Sequence, residues 1–346
     1  MSDNHEPEKI SIPNGKHGLI AKIAEKAVKT NPETILGIGD DAAVLNAGGL
    51  RTLVSTDMFV EGIHFNLVYT PLKHLGWKVV SAAIADIIAM NAQPKQVMVS
   101  IAVSNILMQS QILEIFDGVK LACEHYKVDL AGGDITSSMR GLTICVTAIG
   151  TAKEDDIVYR SGARPTDLIC VTGNLGGAYM GLQLLERERS VFESTGVQPK
   201  LDNNDYILRR QLRPEAQIEL LDYFKKKEIK PTSMIDLSTG LADELMNLCR
   251  ASDMGCEIFE ERIPIADETK KMAEEFGIMP VVAALNGGED YEMLFTIELK
   301  EYEKIKDNDF FTLIGSINTA DKGSYIVMND GNMMPLSDSF NSSPSR

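Results

Sequence analysis

Carboxylates placed beside glycines recur along this chain at strand-like ends. Asp40 and Asp41 lie in Gly37-Ile-Gly-Asp-Asp-Ala-Ala-Val-Leu45, and Asp57 follows Leu53-Val-Ser55-Thr56. Asp134 follows Gly132-Gly133, Asp236 ends Ser233-Met-Ile, and Glu289-Asp290 follow Gly287-Gly288. Asp86 falls among Ile84, Ile87 and Ile88. Acids gathered out of water repel one another and lose solvation unless a cation joins them. Hard divalent cations, which take oxygen ligands, suit such a set. One acidic Gly turn is weak evidence, but the recurrence, together with Asp57 and Asp86, points to a shared metal cluster. The stretch from Ile35 to Asp57 then forms the first half of a metal–phosphate site.

Two other readings of that stretch compete. Gly37 to Ala42 spells G-x-G-x-x-A, the dinucleotide fingerprint, which needs a helix opening directly after the glycines. Here Ala-Ala-Val-Leu-Asn runs into a turn at Gly48-Gly49, and two acids would repel a pyrophosphate. The plainer alternative is a surface turn with solvated acids. For Asp86 the plain alternative is a buried ion pair with a Lys or Arg, and for His64, in Glu61-Gly-Ile-His-Phe65, a structural role.

The elements that must position these residues follow from periodicity. Helical spacing runs over Gly18–Thr30, stopped by Asn31-Pro32, and over Pro71–Met90, where Asn91 suits a left-handed cap. Asp86 lies on the apolar side of that second helix. Further helices are expected over Gln109–Tyr126, from Gly177 to about Arg187, and over Tyr206–Arg210, Pro214–Lys227 and Leu241–Ser252. Strands are expected around Asp40 and Asp57, over Gln96–Ser104, Val128–Asp134, Leu142–Gly150, Leu168–Thr172 and Ser233–Gly240, and in four later runs from Cys256, Glu292, Phe311 and Ser324. Glu188–Asp205 reads as a long loop. The turn Gly173-Asn-Leu-Gly-Gly177 is either an anion cradle built on free N–H groups or only a tight turn. Strands and helices thus mix in an α/β or α+β protein of about two domains, 1–150 and 151–346, with a disordered Ser/Asn/Pro-rich tail from about 337.

Composition narrows the function. The chain has 346 residues and a net charge of −16, which argues against nucleic acid or an anionic membrane as main partner. A phosphate substrate remains compatible if metals carry the anion recognition. No apolar run is long enough to span a membrane, and Met1–Lys9 is polar rather than signal-like. Five cysteines without CxxC or Cys/His spacing read as buried free thiols in a reducing cytoplasm. P-loop, protein-kinase and nucleophile-elbow motifs do not occur.

Taken in order, GIGDDAAVL (37–45), STD (55–57), EGIHF (61–65), IADIIAM (84–90), AGGD (131–134), RSGARPTD (160–167), IDLSTGL (235–241) and NGGEDYEMLFT (286–296) resemble the thiamine-monophosphate kinases. These belong to the superfamily of aminoimidazole ribonucleotide synthase, and the resemblance runs from about residue 16 to 330. It implies a two-domain fold with mixed sheets covered by helices, a homodimer, and transfer of a phosphoryl group from ATP to thiamine phosphate with several Mg²⁺ ions. It also implies Asp41, Ser55, Thr56, Asp57, Asp86, Asp134 and Asp236 as metal ligands, with Asp57, Asp86, Asp134 and Asp236 at the catalytic centre. Gly133, Asp134, Arg160 and Ser238 would contact nucleotide, and His64 and Glu289 substrate. The acceptor is then an already ionised phosphate, so no general base is needed.

Two departures stand out. Thr239 replaces a second Asp of the family pattern, and the tail offers only Phe340 where the family places an aromatic segment on the substrate ring. Other ATP-dependent enzymes of the superfamily are the alternative, as is a weakly active paralogue binding nucleotide or thiamine phosphates. A selenophosphate synthetase would want a reactive Cys near its N-terminus, and none precedes Cys123.

Overall fold

A computed structural model of the chain describes residues 34–36, 40–46 and 48–336. The helix expected over Gly18–Thr30, Gly37 and Gly39, and the tail with Phe340 lie outside the described residues.

Two mixed sheets make the framework, one from strands before residue 153 and one from strands after 167. The first has the order β1-β2-β3-β6-β4-β5 and the second β13-β12-β9-β11-β7-β10-β8. In the first sheet these are β1 (Thr34–Leu36), β2 (Ala43–Asn46), β3 (Arg51–Val60), β4 (Gln93–Ser104), β5 (Asp129–Ser138) and β6 (Thr143–Ala152). Pairing is antiparallel except for β4 with β5, joined by a helical crossover. The second contains β7 (Leu168–Thr172), β8 (Ser233–Asp236), β9 (Met254–Phe259), β10 (Met293–Ile297), β11 (Phe311–Thr319), β12 (Ser324–Val327) and β13 (Met333–Pro335).

The helix α1 (Leu72–Ala89) is the hub. Fourteen of its eighteen residues are buried, including the run Leu75–Ala85. A helix apolar all round belongs between layers rather than at a surface. It packs on β3, β4 and β6 on one side and reaches β8 of the second sheet on the other. Pro71 caps it with extended backbone instead of serving as its first helical residue, and Asn91 takes the expected left-handed conformation at φ 54°. α2 (Gln109–Tyr126) lies beside α1, where Gly76 and Gly118 let the two backbones approach: a Cβ on either would fall 2.0 Å from a carbonyl oxygen.

The second half adds α3 (Gly177–Thr195), α4 (Asp205–Leu212), α5 (Glu219–Lys227), α6 (Leu241–Ser252), α7 (Asp267–Glu275), α8 (Pro280–Asn286) and the short α9 (Tyr302–Ile305). Two expectations fail here. α3 continues two turns past Arg187, because Arg189 pairs with Glu186 and Glu193 along the helix and Arg187 bridges to Glu275. Residues 214–218 are not helical. Pro214 O accepts from the Trp77 indole and the Ala216 N–H donates to Tyr126 Oη, so tertiary bonds replace the helical ones.

Candidate active site

Asp86 projects from α1, Asp236 ends β8, and Asp41 follows the bridge residue Asp40. Oxygen atoms of these three carboxylates lie within 4.8 Å of one another. Burial pushes the Asp86 carboxyl well above the usual range, and the charges of Asp57, Asp236 and Asp41 push it further. Burial raises Asp236 too, followed by Asp41, Glu244 and Asp57. Asp57 is therefore a fourth member of the group by charge. Ser55 and Asp57 alternate with Thr56 along β3, which places them on the face packed against α1. The Ser55 hydroxyl bonds to Ala83 O on that helix and also to Asp86.

Among the described residues one cation faces this cluster. Arg160 grips Asp41 through Nε–Oδ2 at 2.9 Å and Nη2–Oδ1 at 2.6 Å. Its main-chain N–H donates to Asp40 Oδ2 at 3.2 Å. Asp40 is raised to about 7, first by burial and then by the Asp41 charge. Among the described residues, a single guanidinium against the gathered carboxylates Asp41, Asp86 and Asp236 leaves more acid than base in the group. That surplus, on oxygen donors alone, fits a Mg²⁺-type cation. Asp41, buried and paired with Arg160, is not the solvated acid of a surface turn, and among the described residues no Lys or Arg pairs with Asp86 as its plain alternative required.

Beside the acids lies a cavity lined by Ile63, His64, Phe65, Tyr69, Tyr179, Gln211 and Glu289. His64 and Glu289, far apart in sequence, meet in it. The Val60 N–H donates to His64 Nδ1 at 3.0 Å, which makes Nε2 the proton-bearing nitrogen. Tyr69 donates to Glu186 at 2.7 Å on the far wall. The turn 288–291 links cavity to cluster: the Glu289 and Tyr291 N–H groups donate to Ser238 O and Leu237 O, directly after Asp236.

Several expected residues fall elsewhere. The Thr56 hydroxyl points to the opposite face of the sheet, 3.2 Å from Thr147 Oγ1, so strand alternation keeps it from the cluster. Asp134 pairs with Ser100 on the exposed edge strand β5, outside the three-acid group. Gly133 is needed for packing, since a Cβ there would meet Val99 O at 1.8 Å. Ser238 and Thr239 both donate to Glu244 Oε1, at 3.2 and 2.6 Å, so the Glu244 carboxylate on α6 turns back to the segment after β8. Asp290 does not join the metal group as the acidic-turn pattern implied. It accepts from the Gly176 and Ala178 N–H groups at 2.6 and 3.2 Å and pairs with Arg210. The glycine-rich turn before α3 therefore already holds its anion, and that anion is internal.

Sequence reading missed Lys78, which donates to Glu289, together with Arg210 and Gln211. A charged residue inside a largely apolar helix was the available signal for Lys78; the other two depend on tertiary contacts alone.

This arrangement, two mixed sheets sharing a helix with an acid cluster, defines a member of the aminoimidazole ribonucleotide synthase class. Residues 39–152 match the family described as AIR synthase related protein, N-terminal domain. Within that class the chain belongs to the thiamine-monophosphate kinase family, and so among the kinases. It is 34% identical to the thiamine-monophosphate kinase of Bacillus subtilis over 310 residues, covering 87% of this chain and 91% of that one. With the enzyme of Aquifex aeolicus it is 35% identical over 259 residues, 75% of this chain and 80% of the other. The solved structure of AaThiL complexed with AMPPCP and TMP superimposes with a TM-score of 0.80 at 31% identity, covering 93% of this chain and 95% of that one.

Proposed function

We propose that the chain phosphorylates thiamine phosphate to thiamine diphosphate at the expense of ATP, by direct transfer assisted by several Mg²⁺ ions. The observation that carries this is the buried, under-neutralised group Asp41, Asp86 and Asp236 next to the cavity of His64 and Glu289. The kinase relatives and the nucleotide analogue and TMP in AaThiL support it. Asp41, Asp86 and Asp236 would hold Mg²⁺, which would supply positive charge to offset the negative charge spread over the transferred phosphoryl group.

The protein's own part is positioning. Asp41, Ser55, Asp57, Asp86 and Asp236 supply oxygen ligands, with Thr56 limited to its main-chain carbonyl. Gly133, Asp134, Arg160 and Ser238 receive the nucleotide, Asp134 from the edge strand instead of from the three-acid group. Arg160, freed from Asp41, neutralises phosphate charge. His64 and Glu289 orient the acceptor. The division near residue 150 separates a metal and nucleotide part from a substrate part. A homodimer forms through the first part, whose strands β3 and β5 expose Met58, Leu130 and Ile135. Among the described residues no helix is long and apolar enough to cross a membrane, and a cytoplasmic location fits this reading.

Coupled ADP release with thiamine phosphate tests the proposal, with thiamine and aminoimidazole precursors as controls. Release with thiamine phosphate alone supports it, and release only with another acceptor rejects it. Within it, His64→Ala raises the KM for thiamine phosphate and leaves that for ATP nearly unchanged.

A further inference from the structure

Lys78 has no part in the chemistry above, yet it is only 2% exposed. A buried ammonium is costly unless its protons are satisfied, so its partners are informative. Nζ donates to Glu289 Oε2 at 2.9 Å and to the main-chain oxygen of Gln211 at 3.1 Å. Gln211 Nε2 donates to the same Glu289 oxygen at 3.0 Å. Two donors converge on Oε2, and among the described residues no hydrogen bond is made to Oε1. Glu289 lines the cavity beside His64 with left-handed backbone at φ 57°, a conformation other side chains seldom adopt without a reason.

Lys78 also shares a helix with Asp86. Eight residues of rigid α-helix separate them, about 12 Å of axial rise. The same rod thus carries an acid of the metal group at one point and the anchor of a cavity carboxylate at another.

We propose that Lys78 is a positioning residue for substrate recognition. It fixes Oε2 of Glu289 so that Oε1 accepts a hydrogen bond from the bound acceptor, and through α1 it sets the distance from that carboxylate to the phosphoryl-transfer centre. The inference rests on the cavity being the thiamine phosphate site. Lys78 itself touches neither substrate nor nucleotide.

The test compares wild type, Lys78→Met, Glu289→Gln and the double variant. Thiamine phosphate binding is measured by calorimetry without ATP, and KM for each substrate by ADP release. Lys78→Met weakens thiamine phosphate binding and raises its KM roughly tenfold, the scale of one hydrogen bond to a charged group, while the ATP KM stays within about twofold. In the Glu289→Gln background the same change moves both by less than about threefold, because the two residues act as one unit. Should Lys78→Met not fold, Gln211→Met removes the other donor on Oε2 and is expected to show the same split between the two KM values.

An unchanged thiamine phosphate KM, a parallel rise in the ATP KM, or a full effect in the Glu289→Gln background overturns the role of Lys78. Wild-type turnover of thiamine phosphate is read first and judges the functional proposal separately. A wild type that neither binds nor phosphorylates it removes both.

Discussion

Arg160 and Asp41 form a two-point clamp, Nε to Oδ2 at 2.9 Å and Nη2 to Oδ1 at 2.6 Å, with the Asp41 side chain fully shielded from solvent. The clamp occupies both oxygens of a carboxylate that the metal reading also needs. On the proposed metal-dependent function, Arg160 would be the counter-ion of Asp41 without metal and would turn towards phosphate when metal takes its place.

This exchange makes Arg160→Met a sharp probe. Losing one member of a buried pair is strongly destabilising, on the order of 3 kcal/mol. Thermal melting of the metal-free variant should show that loss, and saturating Mg²⁺ should recover most of it. A loss that Mg²⁺ leaves untouched would mean the clamp is purely structural.

The acid cluster predicts opposite effects on stability and activity. Asp86→Asn removes one of several repelling carboxylates, so the metal-free protein should melt at a higher temperature than wild type. Its turnover should fall by about two orders of magnitude or more, the scale of losing one electrostatic stabiliser. Asp57→Asn should follow the same pattern. A metal-free variant that melts lower would show that Asp86 is held by favourable bonds within the chain.

Asp290 should behave in the reverse sense. It caps α3 and pairs with buried Arg210, which also holds Glu292 at 2.8 Å. Asp290→Asn should cost about 3 kcal/mol in urea unfolding, with or without Mg²⁺, because a buried pair and a helix cap are broken together.

The elevated carboxyls fix a pH dependence. An acid whose pKa is higher folded than unfolded keeps a proton in the native state that the unfolded chain has released. Its contribution is present below the unfolded value and is lost as pH rises through the folded one. For Asp40 that interval runs from 3.8 to about 7, and Asp86 and Asp236 shift in the same direction. Metal-free protein should therefore melt progressively lower as pH rises from about 5 to 8. With Mg²⁺ the trend should flatten or reverse, since metal needs the ionised form. A rising melting temperature in metal-free buffer contradicts this.

How far the sequence carried this picture can be seen residue by residue. Asp86 was legible because an acid inside an apolar helical run has few tolerable fates, and Asp236 because it ends a strand beside a turn. Periodicity placed α1, α2, β7 and α6 within a residue or so at either end. It did not separate Asp290 from Asp41, since both are acids near glycine, and only tertiary contacts decide which caps a helix and which faces other carboxylates. The place of the Thr56 hydroxyl, on the other face of the sheet from Ser55 and Asp57, follows from alternation along β3. The end of α3 failed because its last turns are polar and held by ion pairs that no hydrophobic pattern records.

Thr239 carries the remaining sequence-specific expectation. Its hydroxyl donates to Glu244 at 2.6 Å where the family pattern has a carboxylate. Thr239→Asp would set two acids against each other, lowering the metal-free melting temperature and moving the Mg²⁺ titration of kcat to lower concentration. Identical titrations for the two proteins would place Thr239 away from any functional metal.

The central claim is direct, metal-dependent phosphoryl transfer at the cluster of Asp41, Asp86 and Asp236. ATP labelled at its γ-phosphate, incubated with thiamine phosphate, the protein and Mg²⁺, tests it most directly. The account predicts label in thiamine diphosphate, abolished by excess EDTA and by Asp86→Asn. Unlabelled product, no product, or labelling that survives EDTA would contradict it.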